Sequence, residues 1–166
     1  MQEKLFKPKH NLCFDTSAFI NLRDRYPFRI FGVVWAEMDK LVADECISSP
    51  TEVLDELGIY DDDICKWAKA HASIFKNLDE TQVEAVRTIL KDYPLILEER
   101  KERFDADPFV IAYAQVTGAK VVHMERYKNK NEKRPRIPDV CDATGVPHFG
   151  LVGFFDEVGW SFSSHR

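Results

Sequence analysis

The stretch Asp107-Pro108-Phe109-Val110-Ile111-Ala112-Tyr113-Ala114-Gln115-Val116-Thr117-Gly118-Ala119-Lys120-Val121-Val122-His123-Met124-Glu125 decides the fold class of this chain. An Asp-Pro pair suits a helix start, because proline has no N–H to leave unsatisfied in the first turn. From there to Ala114 the residues are apolar on nearly every side, and Gly118 is a natural terminator. Such a helix has to be covered all round. Residues 119–124 follow as a short apolar run of strand length, closed by Glu125. A buried helix that leads through a glycine into a buried strand is half of a parallel αβ unit, and the rest of the chain alternates in the same way.

Residues 11–14 read as a first strand, followed by a helix over 16–22. A helix over 31–43, with Val34, Met38, Leu41 and Val42 as its apolar stripe, leads to a second strand over 45–48. Ser49-Pro50-Thr51-Glu52 carries a helix start signal, with Ser49 as cap and Glu52 closing a capping box. Helices over 61–73 and 79–91 form a helical insertion, and the charged stretch 95–103 suits a further helix. A small helix from Pro138, a short run at 148–150 and a helix over 151–155 complete the pattern. The expectation is an α/β protein, a three-layer α/β/α arrangement with a short central parallel sheet and a helical insertion, in one domain over 1–166.

Composition sets limits on function. At 166 residues, 45% hydrophobic and 31% charged, the chain has enough apolar residues for a core and too many charges for a membrane protein. The first ten residues contain no apolar leader, so a cytoplasmic protein is expected. Cys13, Cys46, Cys65 and Cys141 are too widely spaced for a zinc motif and read as reduced core thiols. A net charge of −5 does not suggest a nucleic-acid binder, but its distribution matters. Arg126-Tyr127-Lys128-Asn129-Lys130-Asn131-Glu132-Lys133-Arg134-Pro135-Arg136 carries six basic residues and one acid. A solvated surface loop would account for that run. Its start directly after Glu125 points equally to a loop that grips phosphates.

Four acids stand where an apolar run hands over to another element: Asp15, Glu56, Asp107 and Glu125. If the runs are parallel strands, these carboxylates meet at one edge of the sheet. Carboxylates held together repel unless a hard cation sits among them, which points to Mg²⁺ or Mn²⁺. Each acid also has a plain structural role open to it. Asp15 and Asp107 suit helix caps, Glu52 suits a capping box, and Glu56 suits an exposed helix face. The joint placement favours a site, because independent caps have no reason to fall at successive strand ends. Asp105 and Asp55 flank the favoured positions, while Asp139 and Asp142 lie just beyond the basic loop.

Phe14-Asp15-Thr16-Ser17-Ala18-Phe19-Ile20 resembles the opening signature of PIN-domain nucleases. The run from Ser49 to Leu57 is similar to their second motif, with Glu56 at the acidic position, and the run from Asp107 to Ala114 is similar to the third. The fourth usually reads Thr-x-Asp, whereas this chain has His123-Met124-Glu125. The resemblance spans roughly residues 12–160 and implies a PIN-like fold and metal-dependent cleavage of RNA that leaves a 5′-phosphate and a 3′-hydroxyl. Asp15, Glu56 and Asp107, with Glu125 or Asp139, would hold the metal. Thr16 and Ser17 would support it, and Lys128, Lys130, Lys133 and Arg134 would position the nucleic-acid backbone. Many small proteins of the family are toxins held by a partner, so an antitoxin or regulatory protein is implied, and a homodimer is compatible.

Three other readings stand beside this one. A PIN-like scaffold without catalysis is kept open by the substitutions at His123 and Glu125. A haloacid-dehalogenase-like phosphatase is suggested by Asp105-Ala106-Asp107, but no apolar strand precedes it. A plain interaction module would use Trp35, Trp67 and Phe75, which core packing explains as well. His123, beside Glu125, is open to a role as metal ligand or proton carrier, although a lone His at a strand end is more often a packed or hydrogen-bonded residue. His10, His71, His148 and His165 have no paired spacing.

Overall fold

The computed structural model describes residues 8–97 and 105–162. Its centre is β1 (Leu12–Phe14), whose three side chains are all inaccessible to solvent. Such full burial is what a central parallel strand covered on both faces requires. The chain continues through α1 (Thr16–Arg25), α2 (Gly32–Ala43), β2 (Ile47–Pro50), α3 (Thr51–Leu57), α4 (Asp63–Ala70) and β3 (Phe75–Lys76). It then forms α5 (Glu80–Asp92), α6 (Asp107–Thr117), β4 (Lys120–Val122), α7 (Ile137–Thr144), β5 (His148–Phe149) and α8 (Leu151–Val158).

The five strands found among the described residues make one sheet in the order β3-β2-β1-β4-β5, and every pairing is parallel. Leu12 lies opposite Ile47 on one side and Lys120 on the other, and Phe14 lies opposite Val122. Side chains alternate across the sheet. The thiol of Cys13 points to Val110 O of α6 at 3.9 Å, whereas the ring of Phe14 meets Phe19 of α1 and Phe154 of α8, each at 5.0 Å. Helices therefore cover both faces, which makes the molecule a three-layer α/β/α protein. On one face α6 crosses β2, β1 and β4, with α5 and α7 packed beside it.

The all-round apolar pattern of α6 is explained by this position. Val110, Ile111, Ala112, Tyr113 and Ala114 are buried together, and each large side chain of this kind contributes roughly 1.5–3 kcal/mol. Gly118 ends the helix in the left-handed region at φ 72°, where a residue with a Cβ would be strained.

Several boundaries differ from the sequence expectation. Ser49 does not cap α3 but lies inside β2, and Pro50 precedes the helix without a side-chain cap. The Ser49 hydroxyl instead donates to Phe14 O at 2.8 Å and accepts from Phe14 N at 3.1 Å, joining β1 to β2. Glu52 is therefore not a capping-box partner. The helical insertion also contains an edge strand, β3, whose two residues are too few to show a period. Within 95–103, a short 3₁₀ turn ends at Ile96, and residues 98–103 lie outside the described residues, as do 1–7 and His165. All four cysteines are buried and unbridged. Among the described residues no helix is long and apolar enough to cross a membrane.

Candidate metal centre

From β1 the chain moves to β2 and β3 on one side of the sheet and later to β4 and β5 on the other. In an open parallel sheet such a reversal marks the crevice beyond the C-terminal strand ends, here those of β1 and β4, as the usual ligand position. Asp15 enters it directly from β1, and its backbone N–H donates to Val122 O at 2.9 Å, joining it to the end of β4. Asp15 is also the N-cap of α1, its Oδ2 accepting from Ser17 N at 3.0 Å and from the Ser17 hydroxyl at 2.5 Å. The same hydroxyl accepts from Met124 N at 3.0 Å. Ser17 thus locks Asp15 to the exit of β4.

Capping accounts for one oxygen of Asp15 only. Its Oδ1 is buried without a hydrogen-bond partner, and so is the hydroxyl of Thr16. Leaving a buried acceptor unsatisfied costs about 1–3 kcal/mol, so such an atom calls for an explanation.

Asp107 reaches the crevice from the first turn of α6, and Ala106 rather than Asp107 occupies the cap position. Asp107 is only 4% exposed. Arg134 Nη2 lies 3.1 Å from Asp107 Oδ2 and 3.4 Å from Asp105 Oδ2, while Arg134 Nε donates to Ile96 O at 3.0 Å. Glu56 and Glu125 each brace a helix start. Glu56 Oε1 accepts from Ala106 N at 2.5 Å, and Glu125 Oε2 accepts from Ile137 N at 3.1 Å.

The acids share one electrostatic field. Burial pushes the Asp15 carboxyl up to about 7, with the charges of Glu125 and Glu56 adding to the rise and the Ser17 hydrogen bonds opposing it. Asp107 is raised well above the usual carboxylate range, first by burial, then by Asp15, Glu125 and Asp105, against the pull of Arg134. Asp15, Glu56, Asp107 and Glu125 therefore come together at one edge. Asp139 stands apart, its Oδ2 accepting from Arg136 N at 2.8 Å and Lys128 N at 3.1 Å.

Among the described residues, no group of three or more His, Cys, Asp or Glu side chains is arranged to hold a metal ion. A Mg²⁺ site does not require one, because this ion keeps several waters and commonly takes one or two carboxylates together with substrate phosphates. The donors are all carboxylate oxygens, and Asp15 Oδ1 is an unpaired one. That set fits Mg²⁺ or Mn²⁺.

The basic loop divides in two. Lys128, Lys130 and Lys133 are exposed, while Arg134 turns inward onto Asp107. Arg126 and Arg136 pair with Glu132 at 2.5 and 3.3 Å, which stiffens the loop.

Sequence spacing did not reveal a histidine pair. His123 Nε2 lies 2.9 Å from His148 Nδ1, and His148 Nε2 lies 2.8 Å from Asp142 Oδ1, whose other oxygen accepts from the Tyr127 hydroxyl at 2.8 Å. Because His123 Nδ1 accepts from Glu125 N at 3.1 Å, the network assigns the His123 proton to Nε2 and the His148 proton to Nε2. Burial first, and His148 next, lowers His123 to about 4. Neutral His123 holds the backbone at Glu125. Twenty-five residues separate the two histidines, and only the β4–β5 register, with Val121 opposite His148, could have paired them.

Residues 12–162 match the family described as Domain of unknown function (DUF4411), and the chain belongs to that family. No curated protein matches the chain.

Proposed function

We propose that the chain is a Mg²⁺- or Mn²⁺-dependent endonuclease that hydrolyses phosphodiester bonds in RNA. The observation that carries this reading is the pair Asp15 and Asp107. Both are buried, burial is the first cause that raises each carboxyl and neighbouring carboxylates add to it, and Asp15 has one oxygen without a partner. Two such groups in a crevice are hard to explain as caps, since Asp107 caps nothing and Asp15 uses a single oxygen to cap α1. The resemblance of these motifs to PIN-domain nucleases gives the same assignment, and the setting it implies is a cytoplasmic toxin controlled by an antitoxin.

Asp15 and Asp107 would hold the ion, with Glu56 and Glu125 beside them. When bound, the ion lowers the pKa of water and neutralises charge on the phosphoryl oxygens. Ser17 fixes the rotamer of Asp15 through its hydroxyl, so this carboxylate meets the ion with little reorganisation. Glu56 and Glu125 hold the first residues of α6 and α7 in place, which keeps Asp107 and the basic loop in register. Lys128, Lys130 and Lys133 supply cations for the RNA backbone. Arg134, which reaches Asp107 from the basic loop, would supply a further cation beside a bound phosphate.

A second reading, a PIN-like binding scaffold without catalysis, is favoured by one observation. Arg134 already supplies a cation to Asp105 and Asp107. Thermal stability with and without Mn²⁺ separates the two. A working site gains stability from the ion through relief of repulsion, and a site closed by Arg134 gains none.

A further inference from the structure

Next to the acidic crevice, a cavity of about 610 Å³ opens between segment 92–95 and the basic loop. Sites for small ligands commonly measure about 300–1,000 Å³. Tyr93, Leu95, Tyr127 and Pro135 supply its apolar wall, and Lys128 and Lys133 belong to its lining. Leu95 and Tyr127 are 46% and 54% exposed, so apolar surface is left open to water there. Tyr127 is nevertheless fixed in place. Its hydroxyl donates to Asp142 at 2.8 Å, and its ring stands edge-on to His148 at 6.3 Å. Lys133 and Pro135 line the cavity while Arg134, between them, reaches Asp107, so the cavity and the acidic crevice share that wall.

The chemistry of the lining narrows the occupant. Asp92, Asp139 and Asp142 also face the cavity and disfavour a bare anion inside it. A flat ring with N–H donors suits the aromatic wall and these acceptors, and phosphates suit the two lysines. Aromatic side chains beside a cationic track are the usual means of seating an unstacked base.

We propose that this cavity is a nucleobase subsite, taking one unstacked base of single-stranded RNA against Tyr127 while Lys128 and Lys133 hold the flanking phosphates. The claim that this base lies beside the scissile bond rests on the nuclease reading, whereas binding of the base does not.

The test is fluorescence anisotropy in EDTA with short labelled oligo(A), oligo(U) and oligo(C), using the full chain and its Tyr127→Leu and Tyr127→Phe variants. Each variant's melting curve serves as the check on folding. Tyr127→Leu should weaken the preferred RNA about five- to a hundredfold and reduce the preference among the three, while Tyr127→Phe stays within about twofold. Equal binding by Tyr127→Leu and wild type, or no binding of any of the three by wild type, overturns the subsite. If wild type binds through Tyr127 but does not cut RNA in Mn²⁺, the subsite stands and the nuclease reading falls. If Mn²⁺-dependent cutting occurs and Tyr127→Leu keeps wild-type affinity and base preference, the nuclease reading stands and the subsite falls.

Discussion

Arg134 Nη2 lies 3.1 Å from Asp107 Oδ2, so the basic loop delivers a cation to the carboxylate that begins α6. Without that cation Asp105 and Asp107 would face each other, Asp15 and Glu125 with less compensation. In metal-free buffer at pH 8, Arg134→Gln is expected to lose about 1–3 kcal/mol, less than a fully buried pair would, because a fifth of the Arg134 side chain remains exposed. Mn²⁺ should restore more stability to this variant than to wild type. Urea unfolding with and without the ion measures both effects, and equal stability of the two proteins in EDTA would contradict the account.

Asp15 sets a pH dependence of known sign. Its carboxyl titrates near 7 in the folded protein against an ordinary 3.8, so between these values the native state holds more protons than the unfolded chain. Its contribution therefore becomes less favourable as pH rises from about 4 to about 7 and remains so above, by something on the order of 4 kcal/mol. Asp15→Asn cannot ionise. In EDTA it should be more stable than wild type at pH 8 and nearly equal near pH 4, and a pH-independent difference would count against the assignment. Saturating Mn²⁺ should reverse the order at pH 8, because the ion requires the ionised carboxylate.

His123 acts in the opposite direction over much of the same range. Its folded value of about 4 lies below the ordinary 6.5, so its neutral form contributes stability above pH 6.5 that is lost as pH falls through 4. The loss should approach about 3 kcal/mol. His123→Asn should flatten that acid limb in the variant's own curve of unfolding free energy against pH, so the wild-type-minus-variant difference should fall by that amount between pH 6.5 and 4. An unchanged limb would place the titration elsewhere.

Much of this architecture can be read from the sequence because it rests on local patterns. Asp107-Pro108, the apolar turns after it, Gly118 and the run at 119–124 each have a short-range cause, and together they specify a helix packed against a parallel strand. The same logic brings Asp15, Glu56, Asp107 and Glu125 to one edge. What the sequence hides depends on distant partners. Ser49 looks like a helix cap until Phe14 is beside it, and the two residues of β3 acquire a strand identity only from Ser49 and Pro50. Arg134 looks like its lysine neighbours, yet Ile96 O and Asp107 draw it inward. His148 gains meaning only from the β4–β5 pairing.

The exposed lysines should be visible in salt dependence. Releasing counterions from single-stranded RNA gives a slope of about 0.7 in log affinity against log salt for each phosphate contact. Replacing Lys128, Lys130 and Lys133 together by Ala should therefore reduce the slope by about 2 and leave the melting temperature nearly unchanged. An unaltered slope would show that the RNA follows another surface.

The most direct test of the central claim is cleavage of a mixed pool of structured RNA in Mn²⁺, comparing wild type, Asp107→Asn and an EDTA control. Asp107→Asn preserves side-chain volume at the start of α6 while removing a charge from the crevice, so it should fold, melt at least as high as wild type in EDTA and cut at least about a hundredfold more slowly. Wild-type cleavage that stops in EDTA and in Asp107→Asn is the result the account predicts. Cleavage that persists in folded Asp107→Asn, or a wild type that neither cuts RNA nor gains stability from Mn²⁺, would contradict it.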